Sequence, residues 1–201
     1  FEGGEGSGKT TQLALLGPYL REKGLSVLAT REPGGTPLGD QIRTLILNPP
    51  ETDTRIDVRT ELFLYLASRS QHVSEVIKPA LDAGRIVLCD RFTDATLAYQ
   101  GDGRGLPKKT IHEMARFASY KLEPHLTFFL DIAPEKALAR LSGRNELNRL
   151  DEETLVFHQT VYQGYLKLAR AYPGRITVIN AEGSVESISL KIQERINALL
   201  S

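Results

Sequence analysis

Residues 3–11 read Gly-Gly-Glu-Gly-Ser-Gly-Lys-Thr-Thr, and Gly3, Gly8, Lys9 and Thr10 fill the fixed positions of G-x-x-x-x-G-K-[ST]. Glycines there, with Gly4 and Gly6 between them, let successive backbone N–H groups turn inward around phosphate oxygens. Glu5 and Ser7 occupy the remaining variable positions. A helix beginning near Gly8 would aim its positive end at the same anion. Lys9 is then placed to reach β- and γ-phosphates, and the Thr10 hydroxyl to ligate Mg²⁺. A bare glycine turn ahead of a helix is the plainer alternative. The complete set of fixed positions favours a nucleotide.

Further anion-binding groups gather where apolar runs end. One run leads into Thr30-Arg31-Glu32-Pro33-Gly34-Gly35-Thr36, and another into Cys89-Asp90-Arg91-Phe92. Arg43 and Arg69 follow the first of these, and Arg104 lies in a glycine-rich Gly-Asp-Gly-Arg-Gly stretch. A single arginine is most often a surface ion-pair partner. Several beside a phosphate loop suggest a second anion, because the guanidinium fork makes paired bonds to phosphate. The four histidines have no metal-ligand spacing, and Cys89 reads as a strand residue rather than a nucleophile.

The elements that must carry these groups alternate. Segments 25–30, 85–89, 126–132 and 176–179 are near-continuous apolar runs, the pattern of strands covered on both faces. Helical patterns occupy 8–23, 37–47, 57–82, 107–121, 134–142, 151–171 and 184–200. Pro18 inside the first of them is expected to kink or interrupt it. The alternation predicts one α/β domain of P-loop NTPase type, three layers (α/β/α) around a doubly wound parallel sheet of about five strands. A phosphate loop follows a buried strand, yet only Phe1 and Glu2 precede this one. These two residues are expected to be the end of a first strand whose earlier residues the sequence does not include.

Bulk properties narrow the class. Twenty-five Lys plus Arg balance 25 Asp plus Glu, so no global charge draws the chain to nucleic acid or membrane. The single cysteine excludes an internal disulfide and suits a reducing compartment. No apolar run nears the roughly 20 residues of a membrane span, so a cytoplasmic location is expected. A guanine-reading N-K-x-D segment is missing after the third apolar run, which leads instead into Ala133-Pro134-Glu135-Lys136.

Taken together, EGxxGxGKTTQ at 2–12, TREPGGTPLGxxIR at 30–43, AxRxQ at 67–71, DRF at 90–92 and AYQGxGRG at 98–105 resemble the thymidylate kinase family of bacterial type. The resemblance spans nearly the whole chain. It implies transfer of the γ-phosphoryl of ATP to dTMP by a homodimer with Mg²⁺. It places ATP on Gly3–Thr11 and Arg140, with Thr10 and Asp90 on the metal side. It implies that Glu5 accepts from the sugar 3′-hydroxyl, that Arg43 and Arg91 hold the dTMP phosphate, and that Arg69 bonds thymine. Tyr99 would crowd the 2′ position, Gln100 would line the base pocket, and Tyr65 stands where a stacking phenylalanine is usual. Ala95 replaces a common serine, with Thr96 beside it as a substitute contact.

The loop's variable positions contain no arginine, so the resemblance turns to the polar segment 142–150, SGRNELNRL, as a lid. Arg144 and Arg149 would complete the catalytic set of Lys9, Asp90 and Arg91. A monophosphate acceptor is already anionic near neutral pH, its second pKa being about 6, so positioning and charge neutralisation carry the chemistry. A deoxynucleoside kinase acting on thymidine shares the loop and the Asp-Arg pair, and remains the alternative. A non-catalytic nucleotide-binding module is a third reading, against which the intact Lys9, Thr10, Asp90 and Arg91 speak.

Overall fold

A computed structural model describes residues 1–49, 56–141 and 148–200. Four five-residue strands lie among them: β1 (Val27–Arg31), β2 (Ile86–Asp90), β3 (Thr127–Asp131) and β4 (Ile176–Asn180). β1 pairs in parallel with β2, and β3 in parallel with β4. Parallel partners need a crossover between them. Helices α2 (Pro37–Leu47), α3 (Val58–His72) and α4 (Lys78–Asp82) supply the first, and α7 (Pro134–Ala139) and α8 (Leu155–Ala171) the second.

Phe1 and Glu2 lie between the two pairs. The Phe1 nitrogen donates to Cys89 O (2.8 Å) and Arg91 N to Phe1 O (2.9 Å). On the other side Glu2 N donates to Phe128 O (2.8 Å) and Leu130 N to Glu2 O (2.9 Å). The expected sheet of about five strands is thus seen as two pairs, with this two-residue stretch bonded to both.

Side chains alternate across a strand, and β3 shows what each face meets. Phe128 and Leu130 pack with Leu13, Leu16 and Leu20 of α1 (Lys9–Glu22) and with Ile188 and Ile192 of α9 (Val185–Leu200). Phe129 points the other way, into Val161 and Tyr165 of α8 and into Ala95 and Ala98. The latter two belong to α5 (Thr93–Thr96) and the wider π-helical turns Leu97–Gly103. Helix α6 (Lys108–Ala118) seals a further cluster with Leu62 and Leu66 of α3.

Three expected boundaries shift, each for a local reason. Helix α1 runs through Pro18 without interruption. The missing N–H would have bonded the carbonyl of Ala14, and both residues are exposed, so water can take that carbonyl. The pattern over 57–82 divides into α3, π-helical turns at Val73–Ile77, and α4. Pro79 lacks the N–H for Glu75 and crowds its carbonyl, which widens the turn ahead of it. Helix α8 begins at Leu155 rather than 151, because Asn148 Oδ1 accepts from Leu150 N (2.9 Å) and Asp151 N (3.3 Å), forming a turn.

The Thr154 hydroxyl caps α8 by accepting from Phe157 N (3.2 Å). Thr154→Ala is expected to destabilise the protein by about 1 kcal/mol. A urea midpoint equal to that of the unsubstituted protein would contradict that role.

Candidate active site

The glycine loop joins Glu2 to α1, and its backbone explains its composition. Gly8 takes φ 94° ahead of the helix, a left-handed conformation that costs glycine little. Gly6 combines φ 71° with a close approach to α7: a Cβ there would lie 2.0 Å from Ala137 O. The Lys9 ammonium is folded into the loop, donating to Gly4 O (2.7 Å), Gly3 O (3.1 Å) and Ser7 Oγ (3.3 Å). Burial and the nearby Arg91 charge lower the Lys9 pKa, against the pull of Glu5 and Asp90. A desolvated ammonium of this kind gains from an anion bound beside it. Gly6, Ser7, Gly8, Lys9, Thr10 and Thr11 all line a cleft of ≈ 1180 Å³, as does Arg140, which donates to Ala181 O (2.8 Å).

At the loop's end the Thr10 hydroxyl donates to Asp90 Oδ2 (2.8 Å). Asp90 Oδ1 is buried with no hydrogen-bond partner. Burial alone would raise the Asp90 pKa, but Lys9, Arg91 and the Thr10 bond together hold it below the usual carboxylate range. An ionised oxygen without a donor beside a hydroxyl fits a hard divalent cation. Among the described residues no group of three or more His, Cys, Asp or Glu side chains could hold a metal. Most ligands would therefore come from phosphate and water, which suits Mg²⁺ at a nucleotide.

Arg91, the residue after β2, adopts φ 67°. Its guanidinium donates to Gly3 O (2.9 Å), Tyr165 OH (3.3 Å) and Glu5 Oε1 (2.5 Å), and lies over the Tyr99 ring at 4.9 Å. Tyr99 OH also donates to Glu5 Oε1 (3.1 Å); burial pushes this phenol up, so it keeps its proton. For Glu5, burial is outweighed by Arg91 and Lys9, and its pKa is lowered. Glu2 anchors the whole from below, accepting from Phe92 N (2.7 Å), Ala95 N (3.2 Å) and Tyr165 OH (2.7 Å).

Beyond Arg91 lies a chamber of ≈ 70 Å³. Glu5, Arg43, Tyr65, Arg69, Arg91, Thr96, Tyr99 and Gln100 all line it, so the predicted acceptor residues converge. Arg43 also borders the large cleft and donates to Pro33 O (3.0 Å). Burial lowers its pKa, with Arg31 and Arg91 adding to the effect against Tyr65 and Asp90. Arg69 is 2 % exposed and donates to Glu32 Oε2 (2.7 Å), Thr96 Oγ1 (2.8 Å) and Phe92 O (2.8 Å). Three of its five N–H groups are thereby committed. The Thr96 hydroxyl, expected as a base contact, supports Arg69.

Arg149 is not brought to the phosphate loop. Its guanidinium donates to Ile46 O (3.0 Å) and Glu61 Oε2 (2.5 Å), on the side of the small chamber. Asn148 and Leu150 on either side of it line the small chamber. Arg144 and the expected lid residues 142–147 lie outside the described residues.

Sequence reasoning missed Glu32, Glu61 and Tyr165. Glu32 accepts from Arg69 and pairs with His72 Nδ1 (3.0 Å), whose other ring nitrogen meets Thr30 Oγ1 (2.7 Å). Gly35 (φ 84°) packs on that histidine so closely that a Cβ would lie 2.6 Å from Nε2. Glu61 had a visible signal: Glu61, Tyr65 and Arg69 recur every four residues, one face of α3.

The chain is similar to known proteins over nearly its whole length. The thymidylate kinase family model matches residues 1–192. A thymidylate kinase of Synechococcus sp. (strain JA-2-3B'a(2-13)) is 51% identical over 192 residues, covering 96% of this chain and 90% of that protein. One from Bacillus cytotoxicus is 47% identical over 202 residues, covering 100% and 96%. Among solved structures, a thymidylate kinase from Ehrlichia chaffeensis superposes with a TM-score of 0.78 at 31% identity, over 98% of this chain and 96% of that one.

Gly6→Ala is expected to weaken nucleoside triphosphate binding by about 10-fold or more, since strain of about 1–3 kcal/mol falls on the loop itself. Titration calorimetry giving an unaltered Kd would show that the approach to α7 is not needed.

Proposed function

The chain belongs to the thymidylate kinase family, and on that premise we propose that it transfers the γ-phosphoryl of ATP to dTMP, yielding dTDP. The observation that carries this reading is Arg91. One guanidinium bonds both the phosphate loop, at Gly3, and the acceptor chamber, through Glu5 and Tyr99. A donor phosphate on the loop and an acceptor phosphate beside Arg43 would share that cation between them.

The acceptor needs no strong base, because its phosphate is already charged near neutral pH. The task left to the protein is to bring two polyanions together in water-poor surroundings. Lys9 and the loop N–H groups hold the donor phosphates, with Arg140 on the cleft wall. The Thr10 hydroxyl and Asp90 are the groups that would hold Mg²⁺, which when bound would supply charge neutralisation at the transferred group. Arg43 and Arg91 hold the acceptor phosphate. Glu5, ionised and already accepting from Tyr99, takes the sugar 3′-hydroxyl as a further donor. Tyr99 closes the 2′ side, Tyr65 stacks on the base, and Arg69 and Gln100 address its polar edge. Asn148, Arg149 and Leu150 cover the acceptor end. Arg144 keeps its donor-side assignment on sequence resemblance alone.

The two strand pairs, linked through Phe1–Glu2, are read as one doubly wound sheet, and the chain as one domain with 142–150 as its lid. We place the enzyme in the cytoplasm; among the described residues no helix is long and apolar enough to cross a membrane. A second copy of the chain is the proposed cover for Phe117 and Phe63, which are 87% and 57% exposed on the neighbouring helices α6 and α3. The thymidine reading loses to Arg43 and Arg91, two cations where a nucleoside has no charge.

With isotopically labelled ATP, dTMP is expected to be consumed at least about 100-fold more efficiently than thymidine, AMP, CMP or GMP, the discrimination a hydrogen-bonding pocket commonly achieves. Equal use of thymidine would restore the nucleoside kinase reading, and tight ATP binding without turnover would favour the non-catalytic module. Phe117→Asp is expected to convert a dimer to monomers in sedimentation. A chain already monomeric before substitution would refute the dimer.

A further inference from the structure

Glu61 lies behind the acceptor chamber, 1 % exposed, and does not line it. Its carboxylate is the meeting point of three side chains, Gln100 and Arg104 from the π-helical turns and their cap and Arg149 from the segment ahead of α8. Oε1 accepts from Gln100 Nε2 (2.9 Å) and Arg104 Nε (3.1 Å). Oε2 accepts from a terminal nitrogen of Arg104 (3.2 Å) and one of Arg149 (2.5 Å). Two guanidinium groups keep it ionised, so it accepts and never donates.

Gln100 is the only one of the three partners that lines the chamber. Its amide has a donor end and an acceptor end, and a half-turn about the terminal bond exchanges them at almost no cost in shape. An acceptor-only Glu61 permits one of the two. The NH₂ must face the carboxylate, which leaves the carbonyl oxygen as the amide's other polar edge. Pyrimidines differ in what they offer such an oxygen. Thymine and uracil carry a proton on N3, whereas neutral cytosine has a lone pair there. Oxygen facing a lone pair leaves two acceptors unsatisfied in a buried place, the situation that gives strong discrimination.

We propose that Glu61 is a positioning residue for base selection: it locks the Gln100 amide with its oxygen toward the chamber and so selects pyrimidine monophosphates bearing an N3 proton over cytidylate. This rests on the dTMP reading above. Arg104 and Arg149 hold Glu61 in the charged form that the lock requires, which also gives the Arg149 contact a purpose away from the phosphate loop.

The test is the Glu61→Gln variant, whose side chain can donate as well as accept and so allows Gln100 to turn over. The expected result is a fall of about 10-fold or more in the ratio of kcat/KM for dTMP to that for dCMP, carried mainly by KM for dTMP. The ratio for dTMP against dUMP should hold, because both bases have the N3 proton and only the methyl contact differs. Glu61→Asp, which stays an acceptor, should return the dTMP preference toward that of the unsubstituted enzyme. If dTMP and dCMP efficiencies fall together in Glu61→Gln with their ratio intact, Glu61 serves packing alone and the inference is overturned. Should that variant show no cooperative thermal transition, N3-methyl-dTMP on the unsubstituted enzyme decides: a KM equal to that of dTMP overturns it, and one raised about 10-fold or more supports it. An unsubstituted enzyme that uses dCMP as well as dTMP overturns the substrate reading and this inference together. A clear dTMP preference that Glu61→Gln leaves unchanged overturns this inference alone.

Discussion

A largely buried guanidinium must find partners for its N–H groups, because an unpaired charge away from water costs several kcal/mol in the order-of-magnitude sense. Arg91 imposes that demand where the strands end, and much of the site is arranged around its satisfaction. Its backbone takes a left-handed conformation at the end of β2, and its donors reach Gly3 O, Glu5 and Tyr165. Tyr165 passes the constraint to Glu2, and Glu2 passes it to the backbone of Phe92 and Ala95. The closed circuit joins the phosphate loop, β2, α5 and α8, and relative motion among them would break charge-assisted bonds. Phosphoryl transfer requires that rigidity, since its two anions must be held in line.

A second circuit supports the first and borders the cleft through Thr30 and Glu32 and the chamber through Glu32, Arg69 and Thr96. Glu32 sits between Arg69 and His72, and His72 reaches Thr30 at the end of β1. Arg69 continues to Thr96 and the carbonyl of Phe92. The ends of β1 and β2 are therefore fastened to one helix, α3, through groups that are almost wholly buried. The close contact of Gly35 with His72 shows how tightly the loop after β1 is drawn onto this support. Two networks of this kind share Phe92: one uses its nitrogen, the other its oxygen.

How much could be read beforehand depended on how local each requirement was. The glycine loop was legible because backbone geometry within a few residues dictates its composition, and the structure bears this out at Gly6 and Gly8. Parallel strands were legible in the unbroken apolar runs, which alternate between two cores in β3. The expected interruption at Pro18 does not occur, because the Ala14 carbonyl left without a partner lies on an exposed residue and can be taken by water. Arg149 misled for a different reason: a cation in a polar stretch gives no sign of which carboxylate will take it. Glu61, its actual partner, has meaning only once α3, Gln100 and Arg104 are together. Its place in a four-residue series with Tyr65 and Arg69 told which face it shared, but not what that face met.

Tyr99 is both a wall of the acceptor chamber and a member of the core. It is 4 % exposed and packs edge-on against Phe157 and Tyr165, with ring centroids 6.1 and 6.3 Å away. Enlarging the chamber by truncating this ring would remove a buried aromatic, typically about 3–5 kcal/mol, from a domain whose whole margin is of order 5–15 kcal/mol. Variants with a roomier chamber are thus expected to be depleted by the cell's quality control before any altered chemistry had an effect. The width of the chamber is in this way guarded by the stability of the fold, independently of any demand of catalysis.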